Sequence, residues 1–135
     1  MKQENLLEVK QLRTEFFSSK TSSVTAVNEI SFSIGKGEIL GLVGESGCGK
    51  SVTSLSIMGL LTATSGKVTK GEVLFEGKDL LKISEKEMRE IRGGEMSMIF
   101  QEPMSSLNPA MRIDKQMIEG IRLHTDLSKE EARKR

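Results

Sequence analysis

Tryptophan and tyrosine are absent, and with five phenylalanines the aromatics reach only 4% of 135 residues. A platform that stacks the bases of a single-stranded nucleic acid therefore has little to build on. Lys plus Arg number 20 against 19 Asp plus Glu, a formal net charge of +1, so the basic excess of a polyanion binder is missing too. The single cysteine excludes an internal disulfide framework and a cysteine zinc site, and the single histidine excludes a histidine metal cluster. Long apolar runs are also lacking. Ile39–Val43 and Ile57–Leu61 each contain a glycine and fall far short of the roughly 20 residues needed to cross a bilayer. The opening residues interleave charged and apolar positions, without the unbroken core of a signal peptide. The default compartment is the cytosol, with any membrane contact made through a partner. What remains, 36% hydrophobic and 29% charged residues, suits one soluble globular domain or part of one.

Alternating strand and helix patterns predict an α/β fold. Leu6 to Phe17 reads as a strand, Ser18 to Ser23 as a turn, and Val24 to Ile34 as a half-buried strand with Ile30, Phe32 and Ile34 alternating with serines. Ile39, Leu40, Leu42 and Val43 form a nearly continuous apolar run, the pattern of a strand buried on both faces of a parallel sheet. Leu55 to Leu61 suits a well-buried helix. Thr62 to Lys70 reads as a loop, Glu72–Phe75 as a strand and Gly77 as a turn. Ser84 with Glu87 fits a capping box for a helix that Gly93-Gly94 ends. Met96 to Phe100 reads as a short strand running into a loop that contains Pro103 and Pro109. A helix is predicted from Ile113, where Met117, Ile118 and Ile121 recur at helical spacing, and Ser128 with Glu131 marks another.

Between the apolar run and the first helix lies Gly44-Glu45-Ser46-Gly47-Cys48-Gly49-Lys50-Ser51, a complete G-x-x-x-x-G-K-S phosphate loop in the strand-to-helix setting that its chemistry requires. Its glycines permit torsions that turn successive N–H groups inward onto a polyphosphate. The helix beginning near Lys50 adds unsatisfied N–H groups and about half a positive charge. Lys50 is placed to reach the β- and γ-phosphates and the Ser51 hydroxyl to ligate Mg²⁺. Cys48 occupies a position that contributes backbone only. The loop alone leaves kinases, GTPases, helicases and transport ATPases open.

Flanking residues narrow this choice. The lead-in from Gly37-Glu38-Ile39-Leu40-Gly41 through Gly47 resembles the ATP-binding-cassette (ABC) family, and Met98-Ile99-Phe100-Gln101-Glu102-Pro103 looks like its Q-loop. Met104-Ser105-Ser106-Leu107-Asn108-Pro109 and Val24 to Phe32 are similar to the oligopeptide, dipeptide and nickel importer branch. The resemblance implies a P-loop NTPase fold in partial form: residues 1–100 as part of the ATP-binding core, and 101–135 as the Q-loop and the start of the helical subdomain. It implies ATP and Mg²⁺ as cofactors. Phe16 takes the place of the adenine-stacking aromatic, with Phe17 as its competitor, and Gln101 contacts Mg²⁺ and the attacking water. It further implies membrane permease subunits, a second ATPase subunit (a copy or a paralogue) and, through the permease, an extracytoplasmic solute-binding protein. The subunit would sit peripherally on the cytoplasmic face of the membrane, without nucleic acid.

The family's LSGGQ signature, Walker B strand, D-loop and switch histidine are not found in these residues. The chain thus reads as the N-terminal part of a longer subunit, expected to bind ATP while hydrolysing it very weakly alone and exposing sheet edges prone to aggregation. Two rival readings remain: a non-hydrolysing nucleotide-binding remnant, and a soluble phosphotransferase of the phosphate-loop class. Against the second, the Q-loop and Asn108-Pro109 context has no evident use in a nucleotide kinase. His124 reads as a helix-surface residue, Met88, Met96, Met98 and Met104 as apolar filler, and Lys129 to Arg135 as a solvated helix face.

Overall fold

The computed structural model describes residues 5–19, 21–61, 65–101 and 107–135. The expectations for 62–64 and for 102–106, which include Pro103 and Met104, lie outside these. The chain divides into two units, Met1–Ser84 and Glu85–Arg135.

In the first unit a four-stranded antiparallel sheet has the order β2-β1-β3-β4, with β1 at Asn5–Phe17, β2 at Ser23–Gly35, β3 at Gly66–Phe75 and β4 at Lys78–Asp79. The apolar residues of β1 do not follow a strict alternation, since Val9 and Leu12, both buried, lie three apart. A bulge reconciles them. Val9 pairs with Phe32 and Leu12 with Ile30, three steps on β1 against two on β2, and the extra residue Gln11 takes a φ of 47°. Opposite this bulge β3 must supply a residue without a side chain. At Gly71 (φ 106°) a Cβ would lie 2.6 Å from the carbonyl oxygens of Lys10 and Gln11.

One sheet face carries Leu7, Val9, Leu12, Thr14, Val73 and Phe75, all buried. Helix α1, Lys50–Ile57, buries Thr53, Ser56 and Ile57. The helix is tied to β1 by a buried bond of 2.8 Å between Thr14 Oγ1 and Ser56 Oγ. Because Ser56 donates its one hydroxyl proton to Val52 O at 2.6 Å, Thr14 is the donor to Ser56. Arg13 and Glu15 lie on the opposite face of β1, paired with each other at 3.2 Å.

Two expectations are corrected in this unit. Residues 66–70 belong to β3 rather than to a loop. The run Ile39–Val43 joins no strand among the described residues, and Ile39 and Val43 are 95% and 90% exposed. A strand of that composition is stabilised by parallel neighbours on both sides, and every described strand pairing in this unit is antiparallel.

The second unit contains α2 at Glu85–Ile91, α3 at Ile113–Leu123 and α4 at Lys129–Lys134. Gly93 (φ 84°) follows α2, and a Cβ there would lie 2.6 Å from Nε2 of His124, the residue that ends α3. Ser128 and Glu131 form the expected capping box at α4. Arg133 meets Asp114 at 2.8 Å, joining α4 to α3. Gln116 clasps the preceding turn, accepting from Asn108 N–H at 3.0 Å and donating to the carbonyls of Asn108 and Met111 at 3.0 and 2.8 Å. The short strand expected at Met96 to Phe100 is not formed. Met96 makes one isolated bridge to Arg92, and Ile99 is 97% exposed. Like Ile39–Val43, these residues have strand composition without a neighbouring strand among the described residues.

Gly71→Ala is expected to destabilise the first unit by more than about 1 kcal/mol, because alanine must adopt a positive φ against two carbonyls; urea melts check this. Asp79 provides a pH-dependent contribution. Burial alone would raise its pKa, but the ion pair with Lys82 at 2.7 Å and N–H donors from Leu81 at 3.1 Å and Val73 at 3.4 Å outweigh burial and hold it below the usual value. A lowered folded-state pKa means a contribution complete at neutral pH and lost as the pH falls from about 3.9 through the folded-state value. Asp79→Ala should therefore cost about 1–3 kcal/mol at pH 7, with the difference from wild type shrinking in melts at progressively lower pH.

Candidate phosphate-binding loop

The loop is shaped by three glycines used for different reasons. Gly49 caps α1 in the left-handed region (φ 96°). A Cβ on it would run into the carbonyl oxygen of Ala26 and lie 3.6 Å from Val27 Cγ2. The start of α1 is therefore seated directly on the backbone of β2. Gly47 (φ 82°) needs only its torsional freedom, for nothing lies within 4 Å of a Cβ there. Gly44 leaves room for a neighbour, since a Cβ would sit 2.5 Å from Cys48 Sγ.

Two bonds fix the junction of loop and helix. Gly49 O accepts from the Thr53 N–H at 2.8 Å and from the Thr53 hydroxyl at 3.0 Å. Cys48 N–H donates to Glu45 O at 3.3 Å and closes the turn. Lys50 curls back over this turn. Its ammonium donates to Gly44 O at 2.7 Å and Glu45 O at 2.6 Å, and lies 3.5 Å from Cys48 Sγ. Gly44, Glu45, Ser46, Gly47, Cys48 and Gly49 lead directly into Lys50 and Ser51, the first two residues of α1. Beside the loop is a cavity of about 310 Å³, lined by residues of β2, by Leu42 and Val43, and by Cys48, Gly49, Lys50 and Thr53.

The electrostatics favour an anion. The first turn of α1 carries no acidic residue, so nothing on the helix opposes the partial positive charge of its N-terminus. Ser51, one residue into the helix, is exposed. Among the described residues no group of three or more His, Cys, Asp or Glu is arranged to hold a metal ion. The Ser51 hydroxyl is a hard oxygen donor of the kind a Mg²⁺ ion accompanying a nucleotide would use, beside phosphate oxygens.

The other predicted residues are placed as follows. Phe16 is half-buried on β1, paired with Val24 of β2 and Gly66 of β3. By strand alternation it shares the face of Thr14 that meets α1, whereas the equally half-buried Phe17 points the other way. Gln101 is exposed and belongs to the second unit. Sequence reasoning missed the support from Ala26 and Val27. These residues stand more than twenty positions before Gly49, and nothing in the local pattern of β2 signals the approach.

Comparison with known proteins gives this geometry a context. The family described as ABC transporter matches residues 27–135. The chain is 51% identical over 131 residues to the dipeptide transport ATP-binding protein DppD of Bacillus subtilis (strain 168), covering 97% of this chain and 39% of that protein. It is 52% identical over 130 residues to the oligopeptide transport ATP-binding protein OppD of the same organism, covering 96% of this chain and 36% of that protein. With OppD of Escherichia coli (strain K12) it shares 49% over 127 residues, 94% of this chain and 37% of that protein. The chain thus spans about two fifths of the length of these curated relatives. Among solved structures it is similar to the dimeric bacterial ABC transporter cassette MJ0796, with a TM-score of 0.76 and 25% identity over 95% of this chain and 53% of that one. A post-hydrolysis state of the same cassette, bound to ADP and Pi, gives a TM-score of 0.74 at 25% identity, again over 95% and 53%. A phosphate loop seated on an antiparallel sheet, a family match over most of the length and relatives of half-identical sequence agree: the chain belongs to the ABC transporter family.

Proposed function

We propose that the chain is the nucleotide-gripping portion of the ATP-binding subunit of an ABC importer for dipeptides or oligopeptides, or for nickel. The observation that carries this reading is the turn from Gly44 to Ser51 at the start of α1, with the Lys50 ammonium within bonding distance of its backbone. The names of the relatives support the peptide solute.

In this reading ATP binds with its β- and γ-phosphates on the loop amides and on Lys50, and the Ser51 hydroxyl would hold the Mg²⁺ ion that accompanies the nucleotide. Phe16 is the stacking residue for adenine, favoured over Phe17 because it shares the sheet face that meets α1. Gln101 would help hold that Mg²⁺ and orient the attacking water. Residues 1–100 act as part of the ATP-binding core, and 101–135 supply the Q-loop and the start of the helical subdomain. Binding closes the subunit against a second ATPase subunit, and hydrolysis, completed by residues outside this chain, reopens the pair. Permease subunits convert that motion into uptake of a solute delivered by an extracytoplasmic binding protein. No helix among the described residues is long and apolar enough to cross a membrane, which accords with a peripheral place on the cytoplasmic face.

Lys50→Ala tests the reading. A lost charge-assisted bond is worth about 1.5–3 kcal/mol, so the Kd for Mg-ATP is expected to rise on the order of 10- to 100-fold in a titration of folded protein. An unchanged Kd would mean that the loop does not hold the phosphates.

A further inference from the structure

Thr14 and Ser56 are 0% and 1% exposed, and their hydroxyls meet at 2.8 Å between β1 and α1. Replacing both partners of such a pair by apolar groups of the same shape is nearly neutral for stability, so what the hydroxyls add is direction. Direction matters in this interface. Of the residues that α1 buries, Thr53, Ser56 and Ile57, only Ile57 brings a large apolar side chain, and small side chains do little to stop a helix from rolling or sliding on a sheet.

The bond also lies between the two ends of the site. Lys50 precedes Ser56 on α1 by roughly 9 Å of helix. Phe16 follows Thr14 on β1 by roughly 7 Å of strand. Thr14, Glu15 and Phe16 pair without interruption with Val68, Lys67 and Gly66 of β3, so Thr14 and Phe16 leave the same face of the sheet. On β2 the partner of Thr14 is Val27 and that of Glu15 is Thr25. Ala26 is the extra residue of a bulge, and its carbonyl is the one against which Gly49 is seated.

We propose that Thr14 and Ser56 are positioning residues that set the phosphate end of the site in register with its base end, so that both ends grip one nucleotide. The pair touches no ligand. It acts through α1, whose first residues hold the phosphates, and through β1, which carries Phe16. This inference rests on the nucleotide reading above and adds to it the residues that fix the spacing of the two contacts.

Two probes separate the ends: Mg-ATP, which spans both, and Mg-tripolyphosphate, which reaches the loop alone. Thr14→Val keeps the shape of the side chain and removes the donor. In titrations of the folded chain it should raise the Kd for Mg-ATP roughly tenfold and that for Mg-tripolyphosphate less than about twofold. Thr14→Ser, which restores the hydroxyl, should bind both probes as wild type does. An unchanged Kd for Mg-ATP would overturn the proposal. So would an equal loss of both probes, since a merely loosened fold weakens the two alike. If Thr14→Val does not fold, the double variant Thr14→Val/Ser56→Ala, which leaves neither hydroxyl unpaired, is read by the same criteria. Wild type binding neither probe would sink the nucleotide reading and the positioning role with it. Wild type binding both, with the variant losing them in parallel, would sink the positioning role alone.

Discussion

Gly49 has to do two things that no other residue can do together. It turns left-handed to begin α1, and it lets the helix start lie against the Ala26 carbonyl of β2. A side chain of any size there would lift α1 from the sheet, taking with it Lys50 and Ser51, the two residues that follow. The remainder of the site is hung from this contact. Thr53 bonds back to Gly49 O by both its backbone and its hydroxyl, and one turn later Ser56 accepts the buried hydrogen bond from Thr14 on β1. A close backbone approach at one end and a pair of buried hydroxyls at the other fix the helix relative to the sheet.

From that placement the chemistry follows. The N-terminus of α1, with no acidic residue in its first turn, and the Lys50 ammonium put positive potential at one point, although the chain as a whole is almost neutral at +1. The attraction for an anion is therefore local. It arises from oriented dipoles and one cation rather than from a basic surface.

Much of this was legible in the sequence because it is local. The phosphate loop is a contiguous motif, the Ser128–Glu131 box is written within four residues, and the alternation around Phe32 marks β2 directly. What the sequence hid depends on distant partners. Gly71 is a glycine because of a bulge at Gln11 on another strand, and the role of Ala26 is set by Gly49. The runs Ile39–Val43 and Met96 to Phe100 carry strand composition, which records a preference for burial but not the neighbour that would provide it. Exposed over most of their length, they mark where local pattern and tertiary pairing part company. Phe16 shows the opposite case. The family resemblance named it first with Phe17 as its competitor, and the parity of β1, with Thr14 on one face and Arg13 with Glu15 on the other, puts the two on opposite faces.

The central claim is that the loop grips the phosphate tail of the nucleotide rather than its base or sugar. The most direct measurement is a comparison of Kd values for ATP, ADP, AMP and adenosine, each with Mg²⁺, on the folded chain. Affinity should fall on the order of tenfold or more between ADP and AMP, where the phosphate nearest Lys50 is lost. Adenosine and ATP binding with equal affinity would contradict the account.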